Sequence, residues 1–295
     1  MRIFDMIVVG GGPAGYSAAL YAARAGLRVA VLEKLSAGGQ MALTDSIDNY
    51  PGFEEGIDGF SLGEKMQQGA ERFGAVTELA EVYSMDLKGS PKVLETSEGV
   101  FKARTVVIAT GAGPRELGIP GEQNRAHYCA ACDGMRYRGK TVAVIGGGNS
   151  AVGDALQLAR IAKKVYVIHR RDSLRAEKIH QNSLLSAENV EIIWNSAPVE
   201  MSESGVLVED VQTGEKTLVA CDGVFVSIGR KPATNLVKDQ LELDKAGYIV
   251  ADETTRTSIP GVFAAGDVRT KALRQVVTAV ADGAMAVHFA QEYLA

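Results

Sequence analysis

Displaced by 136 positions, the chain lies over itself without a gap: Ile7–Lys34, "IVVGGGPAGYSAALYAARAGLRVAVLEK", covers Ala143–Arg170, "AVIGGGNSAVGDALQLARIAKKVYVIHR". Each copy opens on Val and Ile, enters three glycines, runs through an Ala- and Leu-rich helical stretch, and ends in a second β-branched run. That order reads as strand, tight turn, helix, strand. A second echo sets "VVIATG" (Val106–Gly111) against "VFVSIG" (Val224–Gly229), an apolar strand that stops at a small residue and glycine and closes each half. The predicted fold class is therefore α/β, with two Rossmann-like nucleotide-binding domains of three layers.

Past the second copy the chain continues through "GYIVADETTRTSIPGVFAAGD" to an Ala-rich helical tail from about Leu273. This piece is too small to fold well alone. It is expected to return and complete the first domain, so that the second is inserted: 1–112 first domain, 113–241 inserted domain, 242–295 first domain again. A length of 295 residues suits two medium domains, and 46% hydrophobic with 23% charged residues is an ordinary globular composition. The 33 glycines exceed the usual share of about 7% and point to tight turns and close backbone approach to a ligand.

A net charge of −5 without a long basic run lacks the footprint of a nucleic-acid binder. No apolar run is long enough to span a bilayer, and the first residues pass into glycines where a secretory signal would hold a longer apolar core. The expectation is a cytoplasmic protein with neither nucleic acid nor membrane as partner. Three cysteines do not make a secreted disulfide framework.

Within each repeat the glycines have mechanical tasks. Gly10 makes the turn, Gly12 lets backbone approach a pyrophosphate, and Gly15 allows close helix packing; Gly146, Gly148 and Ala151 match them. Pro13, Ala14, Asn149 and Ser150 lie between, at the helix N-termini whose N–H groups favour phosphate. The two sites differ at the end of the second strand, where Glu33 and His169 are each 23 residues past their first glycine (10 to 33, 146 to 169). A carboxylate there accepts from free ribose hydroxyls and repels a 2′-phosphate. Arg170, Arg171 and Arg175 in "HRRDSLR" do the reverse, with bidentate geometry, unless they are only a solvated strand end. The first unit is thus expected to hold FAD or NAD and the second NADPH.

The residues resemble those of the low-molecular-weight thioredoxin reductases, flavoproteins related to the disulfide reductase superfamily. The resemblance runs essentially end to end. Its motifs are "GGGPAGYSAALYAARAG", "GGQ" at Gly38–Gln40, "YPG" at Tyr50–Gly52, "ATG" at Ala109–Gly111, "CAACDG", "GGGNSAV", "HRRDSLRAEK", "SIPGVFAAGD" and "RQVVTA" at Arg274–Ala279. It implies FAD in the first domain, NADPH in the inserted one, a dithiol beside the flavin, a homodimer, and thioredoxin as protein substrate. By position, Gly10, Gly12, Gly15 and Glu33 would hold the adenine half of FAD, and Asn49, Asp267 and Gln275 its ribityl and flavin portions. Gly39, Gln40, Gly111, Gly266 and Arg274 join them as cofactor-binding residues in the same motifs. Asp267 also reads as a helix N-cap for the segment that follows it.

Cys129 and Cys132, two residues apart before Asp133-Gly134, suit a redox disulfide or half of a zinc ribbon. Structural zinc takes four ligands, and beyond His127 and Cys221 no CxxC or HxxxH partner follows. A static staple would close too short a loop to stabilise much. Cys221 in "VACDGVFVSIG" reads as a small buried thiol in a strand. A vicinal dithiol is a two-electron outlet for two cofactors that exchange hydride equivalents. The resemblance makes Cys132 the sulfur that faces the flavin and Cys129 the one that attacks the partner disulfide. Asp133 is then a general acid-base, or simply a turn residue before glycine. It also implies that the inserted domain rotates between two poses.

Ala131 stands where the family usually has threonine between the cysteines. Arg136, Arg138 and Lys140 in "MRYRGK" either receive an acidic partner or form a solvated turn. Rival functions are a related reductase serving a peroxiredoxin-system or glutaredoxin-like acceptor, a reductase fed by ferredoxin, and a nucleotide-sensing module whose CxxC binds metal. The arginine cluster argues against ferredoxin.

Overall fold

Alternation along the first strand explains why it is buried on both sides. The computed structural model describes residues 3–44 and 46–295. In β1 (Ile3–Val9), Met6 and Val8 enter one apolar core while Ile7 and Val9 enter another, as period-two side chains must. After the glycines, α1 (Pro13–Arg24) leads to β2 (Val29–Glu33), which pairs parallel with β1. Asp58 caps α2 (Gly59–Glu71) by accepting from Ser61 N at 2.8 Å. There follow β3 (Val76–Leu79), β4 (Val82–Asp86), β5 (Lys92–Thr96) and β6 (Gly99–Ile108). The sheet order is β3-β2-β1-β6-β5-β4.

The connecting strand β7 (Ala112–Pro114) leaves this sheet for the second unit. There α3 (Glu122–Arg125), β8 (Ala126–His127) and α4 (Ala130–Asp133) precede the repeated core of β9 (Thr141–Ile145), α5 (Asn149–Ala159) and β10 (Lys164–Ile168). Next come α6 (Lys178–Leu185), β11 (Val190–Ile193), β12 (Ser196–Ser202), β13 (Gly205–Asp210), β14 (Lys216–Ala220) and β15 (Gly223–Val226). A parallel sheet runs β11-β10-β9-β15-β8, and β12-β13-β14 form a separate antiparallel sheet. Val142 and Val144 face the α5 side; Ala143 and Ile145 face the core shared with Val206, Val208 and Val219. Layers on both faces of each central sheet give the three-layer α/β architecture expected from the repeat.

The return begins with β16 (Arg230–Pro232), which pairs with β7, and ends in β17 (Val262–Ala264) and α7 (Val276–Leu294). One edge of β6 is shared: residues 99–103 pair antiparallel with β5, and Val106–Ile108 pair parallel with β17. The C-terminal segment therefore completes the first sheet. Small residues let α7 lie close on α1: a Cβ on Gly283 would strike the backbone of Ala14 and Ala18, and Ser17 Oγ donates to Val280 O at 2.7 Å.

The two compact units are Met1–Gly113 with Lys231–Ala295, and Pro114–Arg230. The second junction lies ahead of the expected position at 241. Val237 and Leu241 are buried in the first unit's core with Ile7, Leu94 and Ile249, so residues 231–241 belong there. Among the described residues no helix is long and apolar enough to cross a membrane.

Candidate active site

In the first unit a turn without side chains lies at the C-terminal end of β1. Gly10 has φ +105°, and a Cβ there would sit 2.9 Å from the Ala109 carbonyl carbon. A Cβ on Gly15 would run into the Gly10 carbonyl oxygen, which is the helix packing that residue was expected to serve. Above Gly12 the space is open, with no atom within 4 Å of its would-be Cβ. Gly12 is the N-cap of α1, no side chain caps it, and Pro13 begins the helix, so the first-turn N–H groups are left to a ligand. Gly39 backs onto Gly12, and Gly38 N donates to Gly11 O at 2.8 Å. Glu33 Oε2 accepts from Gly11 N at 2.6 Å, which brings the acidic strand end beside the glycines. Backbone, helix terminus and carboxylate fit an adenine dinucleotide bound through its pyrophosphate and ribose.

Gly266 (φ +77°) lies against Ala14, where its Cβ would stand 2.9 Å from the alanine methyl. Asp267 is in the single turn Gly266–Val268, and α7 is capped by Gln275 with Thr278, so Asp267 is not that helix's cap. Arg274 reaches the carbonyls of Asp267 (3.4 Å) and Arg269 (3.2 Å). Asn49 Nδ2 donates to Gln275 Oε1 at 3.0 Å across 226 residues. Gln40 is exposed in the short helix Gly39–Leu43, and Gly111 accepts from Ala233 N at 3.0 Å.

Behind Gly266 is an ion cluster that the sequence reading missed. The buried Asp282 carboxylate accepts from Gly266 N (2.8 Å), Arg269 (2.8 and 2.9 Å) and Lys271 (2.8 Å). Burial pushes its pKa up, but the hydrogen bonds and charges of Arg269 and Lys271 outweigh that and hold it below the ordinary carboxylate range. An aspartate inside the Ala-rich run "TAVADGAMAV" was the available signal.

The second unit repeats the first down to its side chains. A Cβ on Gly146 would stand 2.7 Å from the Ala151 methyl, while the space above Gly148 is open. His169, equivalent to Glu33, seats its ring over Gly147, equivalent to Gly11. Burial lowers the His169 pKa, Ser173 O opposes this, and the neighbouring arginines lower it further, so the ring is neutral at pH 7. The segment after it folds back on the turn: Arg175 N donates to Gly147 O (2.7 Å) and Glu177 N to Asn149 Oδ1 (2.8 Å). Arg170, Arg171 and Arg175 are exposed beside the glycines with Ser150. Among the described residues no carboxylate pairs with any of these three arginines. An anion-ready cation cluster beside a dinucleotide turn fits NADPH.

Cys129 and Cys132 form a disulfide in the second unit, with Cα atoms 5.3 Å apart. Cys129 is the N-cap of α4, and its Sγ lies 3.2 Å from Cys132 N. Asp133 closes that helical turn and directs Oδ2 to His127 Nδ1 at 3.1 Å. Ala131, Arg136, Arg138 and Lys140 are exposed, as is Met135. Cys221 is buried in the connection before β15 rather than in a strand, and burial raises its thiol pKa to about 11, which leaves it unreactive.

Two dinucleotide cradles in one chain, one unit carrying a vicinal disulfide, define a two-nucleotide redox protein. Residues 4–283 match the family described as pyridine nucleotide-disulphide oxidoreductase, and the chain belongs to that family. A thioredoxin reductase of Treponema pallidum is 46% identical over 299 residues, covering 99% of this chain and 97% of that protein. One from Peptoclostridium acidaminophilum is 41% identical, covering 99% and 98%. The crystal structure of thioredoxin reductase from Streptococcus pyogenes superposes with a TM-score of 0.92 at 45% identity, covering 99% of this chain and 98% of that one.

Proposed function

We propose that this chain is an NADPH-dependent thioredoxin-disulfide reductase that uses FAD. Cys129 and Cys132, joined as a disulfide beside Asp133 in the unit that carries the arginine-flanked turn, are the observation that carries the reading. Relatives named thioredoxin reductase at 41% and 46% identity over nearly the whole chain support it. FAD, when bound, supplies two-electron transfer between a nicotinamide and a sulfur. Gly10, Gly12, Gly15 and the first turn of α1 would hold its pyrophosphate, and Glu33 its adenosine ribose. Gly146, Gly148 and the α5 terminus would do the same for NADPH, with Arg170, Arg171 and Arg175 selecting its 2′-phosphate.

The chain's own residues then complete the reaction. Cys132 is the sulfur that takes up electrons. Cys129, released as a thiolate, attacks the disulfide of thioredoxin, and Cys132 resolves the mixed disulfide. Asp133 moves the proton that each thiol gains or loses. The resemblance implies a rotation of the second unit during turnover, and we assign its hinge to the paired segments β7 and β16. By the same resemblance the protein is a cytoplasmic homodimer.

The test is NADPH oxidation in the presence of an artificial disulfide, with and without added thioredoxin, against NADH as donor. Thioredoxin-dependent turnover with NADPH is the expected result. Reduction of the artificial disulfide that thioredoxin does not stimulate would favour another acceptor.

A further inference from the structure

Beside the disulfide, three side chains make a continuous polar chain of which the reaction above uses one. Asp133 Oδ2 stands 3.1 Å from His127 Nδ1, and His127 Nε2 stands 2.6 Å from the Tyr137 hydroxyl. At that distance a proton on Nδ1 is shared with the Asp133 carboxylate. Nε2 accepts from the phenol when the ring is neutral and donates when it is charged, so the chain stays bonded in both states. The imidazole is clamped: its centroid lies 5.2 Å from that of Tyr137, edge to face, and 5.2 Å from that of Phe225. Phe225 is also its partner across the β8–β15 pairing. Tyr137 sits over Gly223, where any Cβ would meet its ring.

The charged groups around the phenol are Arg125, Arg136, Asp133 and Asp222, with the Lys140 ammonium 5.7 Å from the ring centroid. Burial is the largest influence on Tyr137 and raises its pKa, so the hydroxyl keeps its proton at working pH. His127, weighed from sequence only as a metal ligand, thus stands between Asp133 and a protonated phenol.

The geometry points to His127 as the positioning residue and proton partner of Asp133, with Tyr137 as the next link outward. The inference rests on the thioredoxin-reductase reading. Reducing the disulfide breaks one S–S bond and takes up two electrons and two protons. The hydride of NADPH accounts for both electrons and one proton, and water supplies the other. Asp133 takes that second proton from His127 Nδ1 and hands it to sulfur, while Nε2 recovers one through the Tyr137 hydroxyl and the phenol regains its own from water. When the dithiol is reoxidised by the partner disulfide, the same route carries the proton outward.

The experiment uses the FAD-loaded protein and its His127→Ala, His127→Asn and Tyr137→Phe variants. Two readouts are taken from pH 5 to 9: thioredoxin-dependent kcat and KM, and NADPH-to-ferricyanide turnover, which bypasses the sulfurs. In His127→Ala, kcat falls about tenfold with KM for thioredoxin unchanged, less than the roughly 10²–10⁴-fold of a direct general acid-base because His127 acts through Asp133. Both histidine variants change the shape of the wild-type pH profile, and ferricyanide turnover persists. His127→Asn, which keeps a donor toward Asp133, recovers part of kcat but keeps the altered profile; Tyr137→Phe loses rate in the same direction. A His127→Ala profile that superposes on the wild type overturns the inference, as does loss of ferricyanide turnover in both histidine variants, which makes the residue a fold element. Wild-type protein that reduces no thioredoxin overturns the parent reading instead.

Discussion

The guanidinium of Arg269 donates edge-on to both oxygens of the buried Asp282 carboxylate, with Nη2–Oδ1 at 2.8 Å and Nε–Oδ2 at 2.9 Å. The same carboxylate holds Gly266 N and Lys271, so one side chain of α7 fixes the turn that presents Asp267. Asp282→Asn leaves two buried cations without a counter-ion and is expected to cost about 3–5 kcal/mol in urea unfolding at pH 7. The folded pKa of Asp282 is depressed, so its stabilisation is present above the ordinary value of 3.8 and is lost as pH falls through the lower folded value. The gap between wild type and variant should be constant from pH 5 to 8 and close in acid.

Gly12 and Gly15 separate cofactor binding from folding. Gly12→Ala meets open space in a conformation alanine accepts (φ −81°, ψ −175°), so the unloaded protein should lose at most about 1 kcal/mol. Its methyl occupies the path of a pyrophosphate, so FAD retention, read by flavin absorbance after gel filtration, should fall sharply. Gly15→Ala instead collides with the Gly10 backbone and should lower the melting temperature of the unloaded protein itself.

Arg170, Arg171 and Arg175 should read the phosphate that distinguishes NADPH from NADH. Replacing Arg171 and Arg175 with alanine removes charge-assisted hydrogen bonds worth roughly 1.5–3 kcal/mol each, so KM for NADPH should rise at least tenfold. The NADH value should hardly move. Equal losses for both nucleotides would make the arginines structural.

Much of this was legible from one register. The 136-residue offset carries α1 onto α5 and β2 onto β10 to within a residue, because strand, glycine turn and helix are local signals. It even sets Glu33 on Gly11 and His169 on Gly147. The junction at Arg230 was not legible, because what draws Val237 and Leu241 to the first unit is burial against Ile7 and Leu94, far away in sequence. Asn49 with Gln275 and His127 with Tyr137 were hidden for the same reason: each pair meets only after the sheets form.

Replacing Cys132 with serine tests the central claim most directly, with anaerobic NADPH oxidation followed at saturating thioredoxin. The account predicts that thioredoxin-dependent oxidation falls to background while ferricyanide reduction by the same flavin-loaded sample continues. Thioredoxin reduction at the wild-type rate in Cys132→Ser would contradict it, since electrons would then reach the partner without the paired sulfurs.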